Sequence, residues 1–392
     1  MPAADPHPSP APPAAWRDRK RYVWLLGLAV PTLPFQAAGL VALSGQNAFW
    51  WWGPVFAFGI IPVLDHVIGT DAGNPPEEAM KGLEEDRYYR WCTFLYLPLQ
   101  YTALIWACWM WTQDTLSPAS AVGLALTTGV VAGVAINTAH ELGHKKEANE
   151  RLLARIALAQ TAYGHFYVEH NHGHHVRVAT REDPASSRLG ESFWGFLPRT
   201  VYGGAVSAWQ LEARRLRRRG RLVWSPHNDV LTAWAGTFAL FASLAVAFGS
   251  AVLPYLVVQA VAGIVLLESV NYLEHYGLLR QRRPDGRYER VAPRHSWNSN
   301  NTTSNIFLYQ LQRHSDHHAN PLRRYQTLRH VDEAPQLPSG YATMIVVAWI
   351  PPLWRHVMDH RVLTHYAGEL GRANIRPGRE QRYGAIAGVQ RP

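Results

Sequence analysis

Long apolar stretches alternate with strongly polar connections along most of the chain. Each of six apolar stretches is close to the ~20 residues with which a helix crosses a bilayer. They cover residues 22–43, 49–68, 92–112, 119–139, 229–249 and 251–272. A weaker apolar stretch, Tyr341 to Met358, is interrupted by Pro351 and Pro352 and is expected to be interfacial or re-entrant. The pattern predicts an all-α, polytopic membrane protein with six transmembrane helices.

Average composition hides this pattern, since hydrophobic residues make up 47% of the chain, as in many soluble enzymes. We expect one integral-membrane domain over residues 21–365. A disordered tail is predicted over 1–20 and a C-terminal tail over 366–392. The proline- and alanine-rich start lacks the apolar core of a signal peptide.

Basic residues are distributed unevenly around the predicted spans. Four of them precede the first span, namely Arg17, Arg19, Lys20 and Arg21. Three connections contain neither Lys nor Arg, at 44–48, 113–118 and 250. Because positive charge stays on the cytoplasmic side, these three connections are expected to face away from the cytoplasm. The segments 69–91, 140–228 and everything after 273 are then cytoplasmic.

Nine histidines occur in four clusters, all in or beside the predicted cytoplasmic segments. The clusters are His140-Glu-Leu-Gly-His144, Glu169-His170-Asn-His-Gly-His174-His175, Asn271-Tyr-Leu-Glu274-His275 and His314-Ser-Asp-His317-His318. Residues three or four apart share one face of a helix. We therefore expect a common point for His140 with His144, for His170 with His174, and for His314 with His317 and His318.

Nine imidazoles are too many for one ion, because tetrahedral sites take four ligands and octahedral sites take six. The clusters therefore predict two metal ions at the membrane boundary. Imidazole suits zinc, copper, iron and nickel, so the ligand type leaves the metal open. Six nearby polar residues are expected to orient the histidine rings or to pair with arginines. They are Glu141, Glu169, Glu268, Asn271, Glu274 and Asp316.

The chain carries no visible redox cofactor site of its own besides these clusters. Its two cysteines, Cys92 and Cys108, are too few for an iron–sulfur or rubredoxin-type centre. No glycine-rich dinucleotide fingerprint follows a strand pattern. Any electrons must therefore come from another protein.

These motifs resemble the signatures of the membrane alkane 1-monooxygenases, the bacterial alkane hydroxylases. The most specific are Asn271-Tyr-Leu-Glu-His275-Tyr-Gly-Leu278 and Leu311-Gln-Arg-His314-Ser-Asp-His317-His318-Ala. The resemblance continues through Arg324-Tyr325-Gln326, His295-Ser-Trp-Asn-Ser299 and Asp71 to Pro76, and covers about residues 20 to 360. His172 falls where the family pattern leaves the residue open, so we expect it to lie outside the ligand set.

The resemblance implies a di-iron enzyme of the bacterial inner membrane with its active site on the cytoplasmic side. It implies O2-dependent oxidation of the terminal methyl of linear medium-chain alkanes to primary alcohols. Electrons would come from rubredoxin and its reductase. The implied iron ligands are His140, His144, His170, His174, His175, His275, His314, His317 and His318.

Two further surfaces are expected from the sequence. In the second span, Phe56, Ala57, Phe58 and Gly59 lie about eight residues, or ~12 Å, deeper than the cytoplasmic end. These four residues are expected to line a substrate tunnel, although small residues also serve close helix packing. The basic run that contains Arg217, Arg218 and Arg219 is expected to dock an acidic electron donor or to lie on anionic lipid. We expect no nucleic-acid binding there.

Two alternatives remain open from the sequence. The first is a related histidine-box enzyme, namely a fatty-acyl desaturase or a xylene or carotenoid hydroxylase, which shares the metals and changes the substrate. The second is a metal transporter, in which histidines would line a path across several membrane depths.

Overall fold

The computed structural model describes residues 16–113 and 115–389, with side chains through Ile386. Within these residues every regular element is a helix, and β-pairing is limited to isolated bridges. This confirms the predicted all-α class. Most of the predicted N-terminal tail, residues 1–15, lies outside the described residues.

Five described helices are long and apolar enough to cross a membrane, and they make the chain a multi-pass membrane protein. They are Val23–Ser44, Asn47–Ile68, Pro118–Gly143, Asp229–Phe248 and Ser250–His275. The remaining predicted span contains the helix Tyr96–Trp111, whose 16 residues extend only ~24 Å. The helix Arg87–Phe94 precedes it, with a break at Leu95. The count of six spans therefore stays a prediction.

The other helices belong mainly to the polar connections. They are Glu77–Glu85, Arg87–Phe94, Ala148–Ala159, Phe166–Glu169, His175–Arg177, Phe193–Arg218, Thr302–Phe307, His314–Ala319, Tyr341–Trp349, Pro351–His365 and Glu380–Val389. Segments of 3₁₀ helix occur at Val23–Thr32, Asn47–Trp51, Ser250–Val252, Pro293–His295, Tyr325–Thr327 and Leu370–Arg372. The weaker apolar stretch is broken at Ile350, directly before the proline pair, as those prolines predict.

Two helices each contain one wide π-turn, Phe56–Ile60 and His170–His174. A π-turn inserts an extra residue into the helical repeat and shifts the direction of the side chains that follow. The first π-turn carries all four predicted tunnel residues, Phe56, Ala57, Phe58 and Gly59. The second carries two of the predicted metal ligands.

The helices Pro118–Gly143 and Leu253–His275 pack unusually closely along their length. A Cβ atom on Gly129 would lie 2.5 Å from Cβ of Ala262, and one on Gly263 would lie 2.9 Å from Cβ of Ala132. Only glycine permits this approach, a frequent arrangement between membrane helices. The close packing brings the ends that carry His140 and His275 to one side of the bundle.

The predicted C-terminal tail contains an ordered helix, Glu380–Val389. Tyr383 is buried, and its hydroxyl donates to Oδ2 of Asp359 over 2.7 Å. The hydroxyl of Tyr276 donates to Oδ1 of the same carboxylate over 2.8 Å. The last described residues thus pack against the main body, and the predicted domain limits stay a prediction.

Candidate metal centre

The nine clustered histidines converge from four parts of the chain into two neighbouring groups. Within each group, one ring nitrogen from every histidine lies within 4.8 Å of the others. The five-histidine group consists of His140, His144, His170, His175 and His317. The four-histidine group consists of His174, His275, His314 and His318.

The α-helical pairs four residues apart meet as expected. His140 and His144 belong to the five-histidine group, and His314 and His318 belong to the four-histidine group with their Nε2 atoms 2.9 Å apart. The expectation that His317 shares a point with His314 is wrong. Residues three apart diverge by part of a turn, and His317 instead lies 2.9 Å from Nε2 of His140.

The expectation that His170 and His174 face one point is also wrong. The π-turn over these residues widens the helical repeat, so position i is matched by position i+5. Nε2 of His170 lies 3.1 Å from Nε2 of His175, within the five-histidine group. His174 turns to the other group. This single π-turn therefore allows one short cluster to supply ligands to both groups.

Six of the nine histidines are poised as neutral ligands. Burial lowers the pKa of six histidines that lie outside the spanning helices, because the protein interior disfavours the charged ring. These six are His144, His170, His175, His314, His317 and His318. A neutral imidazole has a free lone pair at physiological pH, which metal coordination requires.

The donor set of the four-histidine group fits a metal ion. Nε2 of His174 and Nε2 of His275 are buried and have no hydrogen-bond partner among the described residues. Leaving a buried polar atom unpaired costs about 1–3 kcal/mol. A cation at the centre of the four-histidine group would accept both lone pairs and remove this penalty.

Two contacts orient rings of the four-histidine group from behind. Nδ1–H of His174 donates to Oδ2 of Asp183 over 2.8 Å, and Nδ1–H of His275 donates to the carbonyl oxygen of His295 over 3.1 Å. Each contact leaves Nε2 directed at the group. Sequence reasoning missed Asp183. The signal was present, since this carboxylate follows the second cluster by only eight residues.

Three of the predicted orienting carboxylates contact basic side chains. Glu141 lies 3.0 Å from Nζ of Lys145, and it also accepts from the backbone N–H of Tyr325 over 3.2 Å. Oε1 of Glu169 accepts from Arg177 over 2.7 Å. Similarly, Asp316 accepts from Arg323 over 2.9 Å. These pairs support the alternative that the carboxylates are partners of nearby basic residues.

The other three predicted orienting residues lie on the helix Leu253–His275. Glu268 is buried and accepts from the hydroxyls of Tyr163 and Thr200 and from the amide of Asn271. Oε2 of Glu274 lies 3.0 Å from Nε2 of His314, and its Oε1 accepts from the hydroxyl of Tyr341. Within the part of the chain that the structure describes, Glu274 is thus the one of these six residues that makes a polar contact with a clustered histidine.

An apolar cavity of about 90 Å³ lies beside the metal centre and is lined in part by Phe56, Ala57 and Phe58. Its wall also includes Asn137 and Leu311. Each of these two residues precedes a clustered histidine by three positions, so the chain leads from the cavity wall to the histidine groups within a few residues, although no clustered histidine is part of the described lining. Gly59 does not belong to the described lining and is exposed on the helix surface.

The basic run lies at the end of the helix Phe193–Arg218, where Arg217, Arg218 and Arg219 are exposed. Leu222 and Trp224 follow and are 79% and 75% exposed. An exposed aromatic side chain beside arginines suits a membrane surface, and the charge suits an acidic protein. The exposure of this run fits both interpretations. His172 is also exposed and belongs to neither histidine group.

The chain is similar to known proteins of one histidine-rich membrane enzyme class. The model of the fatty acid desaturase family matches residues 117–348, a range that includes all nine clustered histidines. The chain is also 48% identical to the alkane 1-monooxygenase of Acinetobacter baylyi, over 96% of this chain and 93% of that protein. Alkane 1-monooxygenase 1 of Alcanivorax borkumensis is 44% identical over 98% of this chain and 96% of its own length. The alkane 1-monooxygenase of Pseudomonas putida is 45% identical over 93% and 91%. Within its class, the chain therefore belongs to the alkane 1-monooxygenase family.

Proposed function

We propose that this protein is a di-iron alkane 1-monooxygenase that hydroxylates the terminal methyl of linear medium-chain alkanes. One alkane, one O2, two electrons and two protons give one primary alcohol and one water. The observation that carries the proposal is the pair of buried histidine groups beside an apolar cavity. Relatives of the same family bear the name alkane 1-monooxygenase.

The nine histidines would hold two iron ions, one in each group. Iron bound there would supply the activation of O2 and the oxidation of a C–H bond. The protein itself would position the ligands and exclude water from the site. Burial lowers the pKa of rings such as those of His314 and His318 and so keeps them neutral, and Asp183 fixes the ring of His174.

The apolar cavity would hold the alkyl chain of the substrate. Moving a methylene from water to an apolar site gains ~0.8 kcal/mol, but moving it from the bilayer gains almost nothing. The transfer of an eight-carbon alkane from water to the bilayer is therefore favourable by ~6 kcal/mol, and the substrate concentrates in the membrane. A lipophilic substrate would reach the cavity from the membrane, with Phe56, Ala57 and Phe58 around its chain.

The electrons would come from reduced rubredoxin, and rubredoxin reductase would reduce the oxidised rubredoxin again. Two cysteines, both buried, are not enough for an internal iron–sulfur relay. The charge distribution supports placement in the bacterial inner membrane with the histidine groups on the cytoplasmic side. A soluble donor would meet the protein on that side.

Product analysis tests this function against its relatives in the same class. Purified enzyme with rubredoxin and its reductase is given octane, dodecane or a fatty acyl-CoA under ¹⁸O2. The proposal expects labelled 1-octanol and 1-dodecanol. A desaturated acyl chain, with no labelled alcohol, would favour the desaturase alternative. A transporter would yield no oxidised product, and the closure of the histidines into two compact groups argues against it.

A further inference from the structure

A second apolar depression lies on the outer surface of the spanning helices, with a volume of about 480 Å³. We call it the outer groove. Its floor includes Val257, Val258 and Val261 of the helix Ser250–His275, which are 55%, 38% and 52% exposed. Pro54 of the helix Asn47–Ile68 and Leu126 of the helix Pro118–Gly143 form its sides. All three helices are long and apolar enough to span a membrane, so the groove opens to lipid.

The outer groove and the inner cavity share part of their lining. Phe58, Val130 and Leu266 border both spaces. One layer of side chains therefore separates a lipid-facing groove from the cavity beside the histidine groups. A hydrocarbon chain that passes from the groove to the cavity through this layer has to displace at least one of its side chains.

Two of the three shared side chains are held in place by helix packing. Val130 is only 6% exposed. Leu266 fills the space above Gly133, where a Cβ atom would lie 2.8 Å from Cδ1 of the leucine. Neither side chain can rotate away without disturbing the contact between two spanning helices.

Phe58 is the third shared residue and the candidate for movement. It is half-buried and lies on the π-turn Phe56–Ile60, where the helical repeat is locally altered. Its ring rests edge-on against Trp349, with the ring centroids 5.0 Å apart. Trp349 itself is fixed, because its Nε1–H donates to Oγ of Ser269 over 2.9 Å. A rotation of Phe58 breaks one aromatic contact and no hydrogen bond.

We propose that the outer groove is a lateral portal for unbranched hydrocarbon dissolved in the bilayer, and that Phe58 is its gate. The inference rests on the proposed function and adds the route of its substrate. The groove lining is apolar, and the one N–H group among its side chains, on Trp349, is already engaged. A hydrocarbon chain meets this surface without leaving any polar group unpaired. It passes Phe58 into the cavity without entering water.

The test narrows the portal from outside the active site. Val261→Trp places a large ring in the outer groove of the full-length enzyme in lipid nanodiscs. Val246→Trp is the matched control, because Val246 is an 88% exposed valine on another spanning helix and outside the groove. For Val261→Trp we expect kcat/KM for octane to fall about tenfold while kcat changes little, since only entry is hindered. The control should keep both parental values.

A second readout does not depend on turnover. A dodecane analogue with a photoreactive diazirine is irradiated with each variant, and the labelled residues are mapped by mass spectrometry. The parental protein should be labelled at the outer groove and around Phe56 and Ala57, with dodecane competing at both places. Val261→Trp should lose the inner label. Val257→Trp, also in the outer groove, serves if Val261→Trp is poorly produced.

Some results would overturn the portal. Parental kcat/KM and full inner labelling in both groove variants would mean that substrate enters elsewhere. Groove labelling that dodecane does not displace would assign the groove to a lipid chain. A change of oligomer mass in Val261→Trp, but not in Val246→Trp, would assign it to a second copy of this chain. Labelling around Phe56 and Ala57 that dodecane displaces, in an enzyme that forms no alcohol from octane, would instead contradict the proposed function and leave the route intact.

Discussion

Nδ1 of His174 and Oδ2 of Asp183 lie 2.8 Å apart, and both side chains are buried. The hydroxyl of Ser186 donates to the same carboxylate oxygen over 2.6 Å. Burial alone would raise the pKa of Asp183, but contact with His174 and the hydrogen bond from Ser186 hold it below its usual value. The charged carboxylate thus fixes the His174 ring with Nε2 directed at the four-histidine group.

Removing this carboxylate should weaken the four-histidine group. Partners that orient a metal-bound histidine typically contribute about 10–100-fold in metal affinity or activity, and we expect a loss of that size in Asp183→Ala. Asp183→Asn keeps an acceptor oxygen and should lose less. Iron per chain and kcat, measured for both variants, check this order. Full iron and full activity in Asp183→Ala would show that the contact has no orienting role.

Replacing one histidine in either group should abolish hydroxylation and lower the iron content. The test variants are His140→Ala, His174→Ala, His275→Ala and His318→Ala. His172→Ala is the control and should be tolerated, because this residue is exposed and outside both groups. Iron analysis with an octane assay gives the result. Normal iron and full activity in His275→Ala would remove that residue from the ligand set.

The stability of the metal-free protein should fall in mild acid. Burial lowers the folded-state pKa of histidines such as His170 and His318 below the ordinary value near 6.5. The unfolded chain therefore binds more protons below about pH 6.5, and the stability present above that pH is lost as pH falls. Thermal unfolding should show a lower Tm at pH 5.5 than at pH 7.5 and little change between pH 7.5 and 8.5. A flat Tm from pH 7.5 to 5.5 would contradict the neutral, buried state of these rings.

Reversing the charge of Arg217, Arg218 and Arg219 to Glu should weaken coupling to an acidic electron donor. The defect should shrink as salt rises, because ions screen the charges. Turnover driven by peroxide needs no donor and should be unchanged. The measurement is rate against rubredoxin concentration at low and high salt. An unchanged dependence at low salt would leave the basic run as a lipid anchor.

Ala57→Trp should shorten the range of alkanes that the enzyme accepts. Ala57 lines the inner cavity on the π-turn, so an indole there fills the space that a long chain needs. Octane should still react, while hexadecane should be excluded. A product series from octane to hexadecane measures the cut-off. Equal loss at all lengths in folded protein would mean that Ala57 serves helix packing instead.

Much of the architecture follows from the hydrophobic pattern alone. Five of six predicted spans coincide with long apolar helices, because about 20 apolar residues in a row have few alternatives to a buried or spanning helix. The stretch around Tyr96–Trp111 did not give a continuous long helix. Its apolar residues extend across Leu95, where the helix is interrupted, and hydropathy does not register such a local interruption.

The histidines of the site were predictable from the sequence, but their arrangement in two groups was not. Histidine spacing identified all nine members of the two groups. The expected common points were wrong for His174 and His317, because the directions of these side chains depend on a π-turn and on the angle between helices, which sequence spacing does not encode. Asp183 lies close to the second cluster in sequence, but proximity alone did not assign its role. Its role depends on a turn that folds the chain back onto His174.

Iron stoichiometry with Mössbauer spectroscopy tests the central claim most directly. Protein produced with ⁵⁷Fe and purified in lipid should contain two irons per chain. The spectrum should show two iron environments in equal amounts, because one group offers five histidines and the other four. Loss of one environment in His275→Ala would assign it to the four-histidine group. A single iron per chain, or zinc in place of iron in active protein, would contradict the account.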